Sequence, residues 1–265
     1  MNHGLNLREI LSKLVSGQIT LEDAEKTIKT DYIERIGEIA CLDINREIRS
    51  GIPEAVMASQ KEPKILTKIV EKVVEKKNIV LITRLKKKHE KAIKKLEEKG
   101  LKVEINKISK IAIVRNHGYQ IEKTGGKIAV ITAGSSDLPI AEEVKTTAEL
   151  MGCDVITAQD VGIAGIHRLI EPLKQIIKEE VECIVVIAGM EGALPSVIAG
   201  LVDIPVIGVP TSTGYGLGEK GIGALTTMLQ SCSPGLVIVN IDNGFGAGAT
   251  AALIANRVAM AKNKK

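Results

Sequence analysis

The chain has 265 residues, of which 45% are hydrophobic but only 2% aromatic, so its core must be built from Ile, Leu, Val and Ala. Stacking surfaces for single-stranded nucleic acid need several aromatic rings, and this composition excludes them. The net charge is a modest +4. No apolar run reaches the roughly 18 residues of a membrane span, and the N-terminal segment lacks the layout of a signal peptide. Together these features predict a cytoplasmic protein.

Residues 1–124 are predicted to form a smaller N-terminal domain of helical and α/β character. The first forty residues look helical, and Thr20 with Asp23 three residues later forms a capping box at the start of one helix. Downstream, NIVLIT, a lysine-rich helix and LKVEIN predict a β-α-β unit, and IAIV adds a strand.

Lysines are dense between Lys61 and Lys110, where they alternate with glutamates. The pattern is typical of a solvated helix face with ion pairs between residues i and i+4. Attraction of phosphate or nucleic acid is the alternative interpretation.

Residues 125–265 are predicted to form a doubly wound α/β domain. Lysines thin out there, and five short runs rich in Val and Ile alternate with segments of helical length and end at Gly, Asp or Pro. Such runs are typical of a parallel sheet that helices cover on both faces. The four cysteines of the chain are scattered without zinc spacing, which indicates reduced thiols; Cys153 and Cys183, at strand starts, are expected to be buried.

Polar, glycine-rich loops follow four of these predicted strands, at the sheet edge where open parallel sheets bind ligands. Ser135–Asp137 begin a helix, which suits a phosphate but is also an ordinary cap. His167 and Arg168 follow the next strand, and an arginine can hold phosphate in a bidentate fork. Glu191 stands between glycines and is a candidate general base, or else a solvated loop acid.

Three stretches resemble the phosphoribosylaminoimidazole carboxylase and mutase (PurE) family: GSSDLPIAEE, GIHR, and AGMEGALPSVIAG followed by LVDIPVIGVPTST. Their order matches that family across the second domain, and the resemblance implies a flavodoxin-like, PurE-like fold. EGALP replaces the family's AAHLP, so the family's catalytic histidine on this loop is missing.

The remaining motifs are similar to LarB, the carboxylase/hydrolase family that begins the nickel-pincer cofactor of lactate racemase: SCSPG, NIDNGFGAG and the upstream DINREIRSGIPEAV. This resemblance covers nearly the whole chain. It implies carboxylation of carbon 5 of the pyridinium ring of nicotinic acid adenine dinucleotide by CO2, and phosphoanhydride cleavage, giving AMP and pyridinium-3,5-biscarboxylic acid mononucleotide. An aminoimidazole ribonucleotide carboxylase or mutase, and a non-enzymatic nucleotide-binding protein, are the alternatives.

The resemblance implies that Cys232 attacks ring carbon 4 and that Glu191 is the base, and Asp43 or Glu54 is expected to assist hydrolysis. The expected substrate-binding residues are Ser135, Ser136, Asp137, His167, Arg168, Met190, Gly192, Thr211, Arg46, Arg49, Asp242 and Asn243. Asp43, Arg46 and Arg49 share a face if that segment is helical, which also fits a plain salt-bridge face.

Cys232 is expected just after a helix over residues 221–231, where the negative end of the helix dipole does not favour a thiolate. The strand that follows starts at the sheet edge opposite Asp137 and His167. We therefore expect a site assembled between subunits of a homo-oligomer, an octamer by analogy with the purine family, with the dinucleotide as partner and neither nucleic acid nor membrane. Mg²⁺ is a candidate ion although no dedicated metal site is visible, and no tightly bound organic cofactor is expected beyond CO2 or bicarbonate as co-substrate.

Overall fold

The computed structural model describes residues 7–30, 34–36, 40–42 and 46–263. The chain divides into two compact units, Met1–Tyr119 and Gln120–Lys265, and each is described separately. The change in composition at Gly125 lies close to this division.

The first unit opens with two helices, α1 (Leu7–Val15) and α2 (Leu21–Thr30). The predicted capping box precedes α2: the Thr20 hydroxyl accepts a hydrogen bond of 3.1 Å from the Asp23 N–H, and the Asp23 carboxylate accepts one of 3.3 Å from the Thr20 N–H. The following elements are an antiparallel strand pair and a short helix: β1 (Glu34–Ile36), β2 (Ala40–Leu42) and α3 (Arg46–Ser50).

The helical prediction for the first forty residues is therefore wrong for Glu34–Ile36 and at Ala40, because β1 and β2 pair as strands. The sequence carries Gly37 between the two strands, and glycine is a poor helix former.

A four-stranded sheet forms the core of the first unit, in the order β3-β4-β6-β5. Its strands are β3 (Ala55–Met57), β4 (Ile79–Thr83), β5 (Leu101–Asn106) and β6 (Ile111–Asn116). Helix α4 (Pro63–Lys77) packs against the sheet through Leu66 and Ile69, and α5 (Lys87–Lys94) continues as a 3₁₀ turn, Lys95–Lys99.

The predicted β-α-β unit is formed by β4, α5 and β5. Strand β6 is antiparallel to both β4 and β5 and lies between them, so the two strands are parallel without being neighbours. The strand predicted from IAIV is thus confirmed: it is β6, which lies between β4 and β5.

The second unit contains the predicted doubly wound parallel sheet, in the order β11-β10-β9-β7-β8. Its strands are β7 (Lys127–Thr132), β8 (Asp154–Ala158), β9 (Cys183–Ala188), β10 (Val206–Pro210) and β11 (Leu236–Ile238). Its helices are α6 (Leu138–Leu150), α7 (Ile170–Lys178), α8 (Leu194–Ala199), α9 (Ile222–Leu229) and α10 (Gly244–Lys262).

Both faces of the three central strands, β7, β9 and β10, are buried, which explains why these strands are almost continuously apolar. On one face Ile128 and Val130 of β7 belong to a cluster with residues of α6 and α10. On the other face Ala129 and Ile131 belong to a cluster with residues of α7, α8 and α9. The three central strands are therefore fixed from both sides, and their ends are held rigidly.

Among the residues that the structure describes, we find no helix that combines the length and the apolar character needed to cross a membrane.

Candidate functional site

A cavity of about 230 Å³ lies at the carboxyl ends of β7, β8 and β9. The structure brings five of the predicted site residues together in its lining: Ser136, Asp137, Arg168, Met190 and Glu191. Other residues of the loops after the strands, Thr213 among them, complete the wall. The sheet edge is the one at which open parallel sheets bind ligands.

Asp137 is buried at this site, and its carboxylate accepts hydrogen bonds from the Thr211 hydroxyl and from the backbone of Gly134 and Gly189. The Thr211 hydroxyl donates to Asp137 Oδ1 over 2.8 Å, and the Gly134 N–H donates to Oδ2 over 3.0 Å. Burial raises the pKa of Asp137, against the lowering effect of these hydrogen bonds, and the nearby Asp242 carboxylate raises the pKa further. Asp137 can therefore hold a proton at a higher pH than a surface aspartate, or accept a hydrogen bond from a ligand.

Arg168 is oriented by a residue that sequence reasoning missed, Asp160. Arg168 Nη1 lies 3.1 Å from Asp160 Oδ2, and the Asp160 N–H donates to the buried Thr132 hydroxyl over 3.0 Å. A Cβ at Gly165 would come within 2.7 Å of Arg168 Nε, so a glycine there leaves room for the guanidinium. The available signal was an acid immediately after a strand and eight residues before the arginine.

The loop that carries Met190 and Glu191 is a tight turn. The Met190 N–H donates to the Thr213 carbonyl over 3.1 Å, and a Cβ at Gly189 would lie 2.5 Å from that same oxygen. Gly192 has a φ of +64° and packs against Ala224. The turn therefore has little room to shift, and both side chains are exposed at the cavity.

In the second unit, five described residues other than glycine have a left-handed backbone: Asp160 (φ 57°), Glu180 (φ 53°), Met190 (φ 50°), Lys220 (φ 59°) and Asp242 (φ 55°). This conformation is uncommon for residues with a Cβ. Asp160, Met190 and Asp242 lie on the loops after β8, β9 and β11, at the carboxyl edge of the sheet.

Several predicted binding residues lie near the cavity without lining it. Ser135 and His167 are exposed beside it, and Gly192 and Thr211 are buried behind its wall. The Asp242 carboxylate accepts from the Ser212 N–H over 2.8 Å, and Asn243 caps α10 by accepting from the Gly246 N–H over 2.9 Å. Asp242 and Asn243 thus have structural roles in this chain.

Cys232 lies at the opposite edge of the sheet, as predicted. It is exposed in the segment between α9 and β11, where the Ser233 hydroxyl donates to the Ser196 carbonyl over 2.8 Å. Gly235, three residues on, accepts a hydrogen bond from Val206, the first residue of β10. The thiol therefore lies towards the amino ends of β10 and β11, whereas the cavity lies at the carboxyl ends of β7, β8 and β9.

Cys153 and Cys183 are buried, as predicted for structural thiols. Burial raises the pKa of the Cys153 thiol to about 11 and that of the Cys183 thiol to about 12. Neither is a nucleophile at neutral pH.

In the first unit, Arg46 Nη1 lies 3.4 Å from Glu54 Oε2. Asp43 and the side chain of Arg49 lie outside the described residues. The described part of the chain contains no group of three His, Cys, Asp or Glu side chains that could hold a metal ion.

Comparison with known proteins gives two family matches. Residues 127–265 match the AIR carboxylase family, and residues 33–116 match the LarB/PurE-like N-terminal domain. The first match covers more than half of the chain and contains the whole candidate cavity.

Three similar proteins illustrate the relationship. An uncharacterized protein of Methanocaldococcus jannaschii is 53% identical over 95% of this chain and 98% of its own length. The N5-carboxyaminoimidazole ribonucleotide mutase of the same organism is 30% identical over 52% of this chain and 81% of its own length. A crystal structure of a Treponema denticola PurE2 variant has a TM-score of 0.39 and 17% identity, covering 53% of this chain and 92% of that one. The chain belongs to the AIR carboxylase family and carries a LarB/PurE-like N-terminal domain ahead of the family's sheet domain.

Proposed function

We propose that this protein is a carboxylase and hydrolase that acts on nicotinic acid adenine dinucleotide. It adds a carboxyl group from CO2 to carbon 5 of the pyridinium ring and cleaves the phosphoanhydride to release AMP. The family supports an enzyme of the carboxylase or mutase type. The finer assignment rests on one observation: the cavity loop carries Glu191 and has Ala193 at the position of the family's histidine, in a chain that also exposes the Cys232 thiol.

The ring chemistry requires a nucleophile because a pyridinium is electron-poor and its carbon 5 does not attack CO2. A thiolate that adds to carbon 4 converts the ring into a 1,4-dihydropyridine, in which carbon 5 is the nucleophilic carbon of an enamine. Carbon 5 forms the new bond to CO2, and the ring nitrogen becomes an iminium. A base removes the proton from carbon 5, and the nitrogen lone pair then expels the thiolate and restores the aromatic ring. Sulfur suits both roles, as nucleophile and as leaving group.

The cavity residues are suited to the other roles. Glu191 is exposed at the cavity on a fixed turn, so its carboxylate is the proposed base for the proton of carbon 5. Arg168, oriented by Asp160, is proposed to bind a phosphate oxygen, and Asp137 to accept a hydrogen bond from the substrate. Arg46 and Arg49 are proposed to bind the pyrophosphate, and Asp43 or Glu54 to assist its cleavage. The described residues do not fit a dedicated metal site, so no step is assigned to Mg²⁺.

Because Cys232 and the cavity lie at opposite edges of one sheet, we propose that the thiol of one subunit reaches a neighbour's cavity in a homo-oligomer, with an octamer expected. Mixing inactive Cys232→Ala protein with inactive Asp137→Ala protein tests this assembly. Mixed oligomers should regain part of the activity because some sites contain both intact residues. Folded mixtures that exchange subunits but recover no activity would contradict shared sites.

The decisive experiment for the reaction is incubation with nicotinic acid adenine dinucleotide and ¹³C-labelled bicarbonate. Mass spectrometry should find AMP and a mononucleotide with a second, labelled carboxyl group. Cys232→Ala is the matched control and should form no carboxylated product. Folded wild-type protein that yields neither product, with Mg²⁺ present, would rule the assignment out.

The second candidate is an aminoimidazole ribonucleotide carboxylase or mutase. The observation that favours it is the similarity of about half of this chain to the mutase relatives. The missing histidine on the EGALP loop argues against it. Turnover of aminoimidazole ribonucleotide or its N-carboxylated form, undiminished in Cys232→Ala, would favour this candidate. If the protein turns over neither substrate set and still binds a dinucleotide, it is a non-enzymatic nucleotide-binding protein.

A further inference from the structure

A second cavity, of about 380 Å³, lies in the first unit between α4 and the α5 helix with its 3₁₀ continuation. Five lysines line it together with one glutamate, and its remaining wall is formed by small or apolar side chains. The lining residues are Pro63, Lys64, Thr67, Glu71, Lys88, Lys91, Ala92, Lys95, Leu96 and Lys99. We call this cavity the lysine groove. It is separate from the cavity at the strand ends, which belongs to the second unit.

Four of the lysines form one stripe. Lys88 and Lys91 lie on α5, Lys95 and Lys99 lie at the two ends of the 3₁₀ turn, and all four line the same cavity. At about 1.5 Å of rise per residue in α5 and about 2.0 Å in the 3₁₀ turn, the stripe is roughly 18 Å long. Lys64 faces it from the first turn of α4.

Only the ends of the stripe are neutralised. Lys88 pairs with Glu62 at 2.8 Å, and Lys99 pairs with Glu71 at 2.6 Å. In the described part of the chain, Lys64, Lys91 and Lys95 form no ion pair, and the lysines of α5 have no glutamate partner on their own helix. The (i, i+4) pairs predicted for this run are therefore absent from α5, and three positive charges converge without compensation.

This arrangement is unfavourable for the isolated helix. Lys86, Lys87 and Lys88 stand at the start of α5, where the positive end of the helix dipole disfavours cations. Lys91 and Lys95 are like charges four residues apart, which also destabilises a helix. Local features that oppose the fold are expected where they serve a ligand, and an anion in the groove would relieve the repulsion between Lys91 and Lys95, which both line it.

We propose that the lysine groove binds a nucleoside triphosphate. The lysine ammonium groups are point charges suited to phosphate oxygens, and the three unpaired ones offset most of the negative charge of a triphosphate tail. Ala92 and Pro63, both partly exposed, offer an apolar surface for the base and ribose. The volume lies in the range of small-molecule pockets, about 300–1,000 Å³. This site is independent of the carboxylation proposed above.

The test is calorimetric titration of the full-length protein with ATP, at low and at high salt. The variant Lys64→Gln/Lys91→Gln/Lys95→Gln should weaken ATP binding about tenfold or more, since each tenfold loss is about 1.4 kcal/mol. The matched control, Lys68→Gln/Lys87→Gln/Lys94→Gln, removes the same charge from exposed lysines outside the groove and should change the Kd by less than about twofold. Thermal unfolding of both variants checks that they fold alike.

Further arms separate the competing explanations. Arg168→Ala should leave the ATP affinity unchanged. If this variant alone lost affinity for ATP, the nucleotide would bind at the other cavity and the proposal would be overturned. Tripolyphosphate should bind more weakly than ATP, because it cannot use the apolar surface; equal affinity would contradict a nucleoside site. An oligonucleotide that binds more tightly than ATP and depends on the same lysines would also overturn it, as would the absence of ATP binding at low salt.

Discussion

The Thr211 hydroxyl donates a hydrogen bond of 2.8 Å to Asp137 Oδ1, and both side chains are buried. Thr211 follows β10 and Asp137 follows β7, and β9 lies between these strands in the sheet. The bond therefore spans an intervening strand end and ties together two loops of the cavity. It also lowers the pKa of Asp137, against the larger, opposite effect of burial.

Thr211→Val should raise the pKa of Asp137 further, because the hydroxyl that favours the charged form is lost while burial remains. We expect the acid limb of the kcat/KM profile to move to higher pH, and ¹³C NMR of the aspartate carboxyl to titrate in parallel. Thr226→Val, at an exposed position of α9, is the control and should leave both curves in place.

The raised pKa of Asp137 also makes a prediction for stability. A carboxyl that binds its proton more tightly in the folded state than in the unfolded state stabilises the fold at low pH. This contribution is lost as the pH rises from the unfolded pKa through the folded one. Denaturant unfolding across that window should show that the free energy of unfolding falls as the pH rises. This fall should be larger in Thr211→Val and absent in Asp137→Asn. If the dependence of the unfolding free energy on pH were the same in both variants as in the wild type, the buried Asp137 carboxyl would not be its source.

Arg168→Lys should raise the KM for the dinucleotide about tenfold while kcat changes little, because lysine cannot form a bidentate fork with phosphate. The Arg168–Asp160 pair is largely exposed, so its contribution to stability is about 0–1 kcal/mol and Tm should remain unchanged. Arg257→Lys, at an exposed position of α10, is the matched control. If both variants had the same KM, Arg168 would not be a phosphate-binding residue.

Cys232 should react with iodoacetamide at pH 8 while Cys153 and Cys183 remain unmodified. The first thiol is exposed, and the other two are buried with pKa values raised to about 11 and about 12. Peptide mass spectrometry after brief labelling measures the three sites separately, and denatured protein is the control in which all three react. Rapid labelling of Cys153 or Cys183 in the folded protein would show that the second unit opens readily.

Gly189→Ala should destabilise the protein by about 1–3 kcal/mol and displace the turn that carries Met190 and Glu191, because the new methyl group would lie 2.5 Å from the Thr213 carbonyl. Gly200→Ala is the matched control, since its nearest atoms are 3.6 Å away. Denaturant unfolding and turnover of both variants check the prediction. A Gly189→Ala protein as stable and active as Gly200→Ala would mean that the loop adjusts freely.

The parallel sheet could be predicted because buried strands of this kind are short apolar runs bounded by glycine, aspartate or proline, and each run carries its own signal. The pair β1 and β2 could not, because strands of three residues show no periodicity. The position of β6 between β4 and β5 was also beyond prediction, because strand order depends on packing rather than on local sequence.

For the site, the rule that ligands bind at strand ends located Asp137, Arg168 and Glu191 correctly at one cavity. It missed Asp160 and Thr213, whose roles arise from contacts between loops distant in sequence. In contrast, the capping role of Asn243 was readable from its position before a helix, although resemblance alone suggested substrate binding.

Met190 holds a left-handed backbone that a residue with a Cβ adopts at a cost of about 1–3 kcal/mol. A glycine at this position would remove that cost and the side chain that lines the cavity, so it would give a more heat-resistant and less active protein. Directed evolution for thermostability and directed evolution for turnover should therefore diverge at Met190, and a variant library scored for each property separately would enrich different residues there.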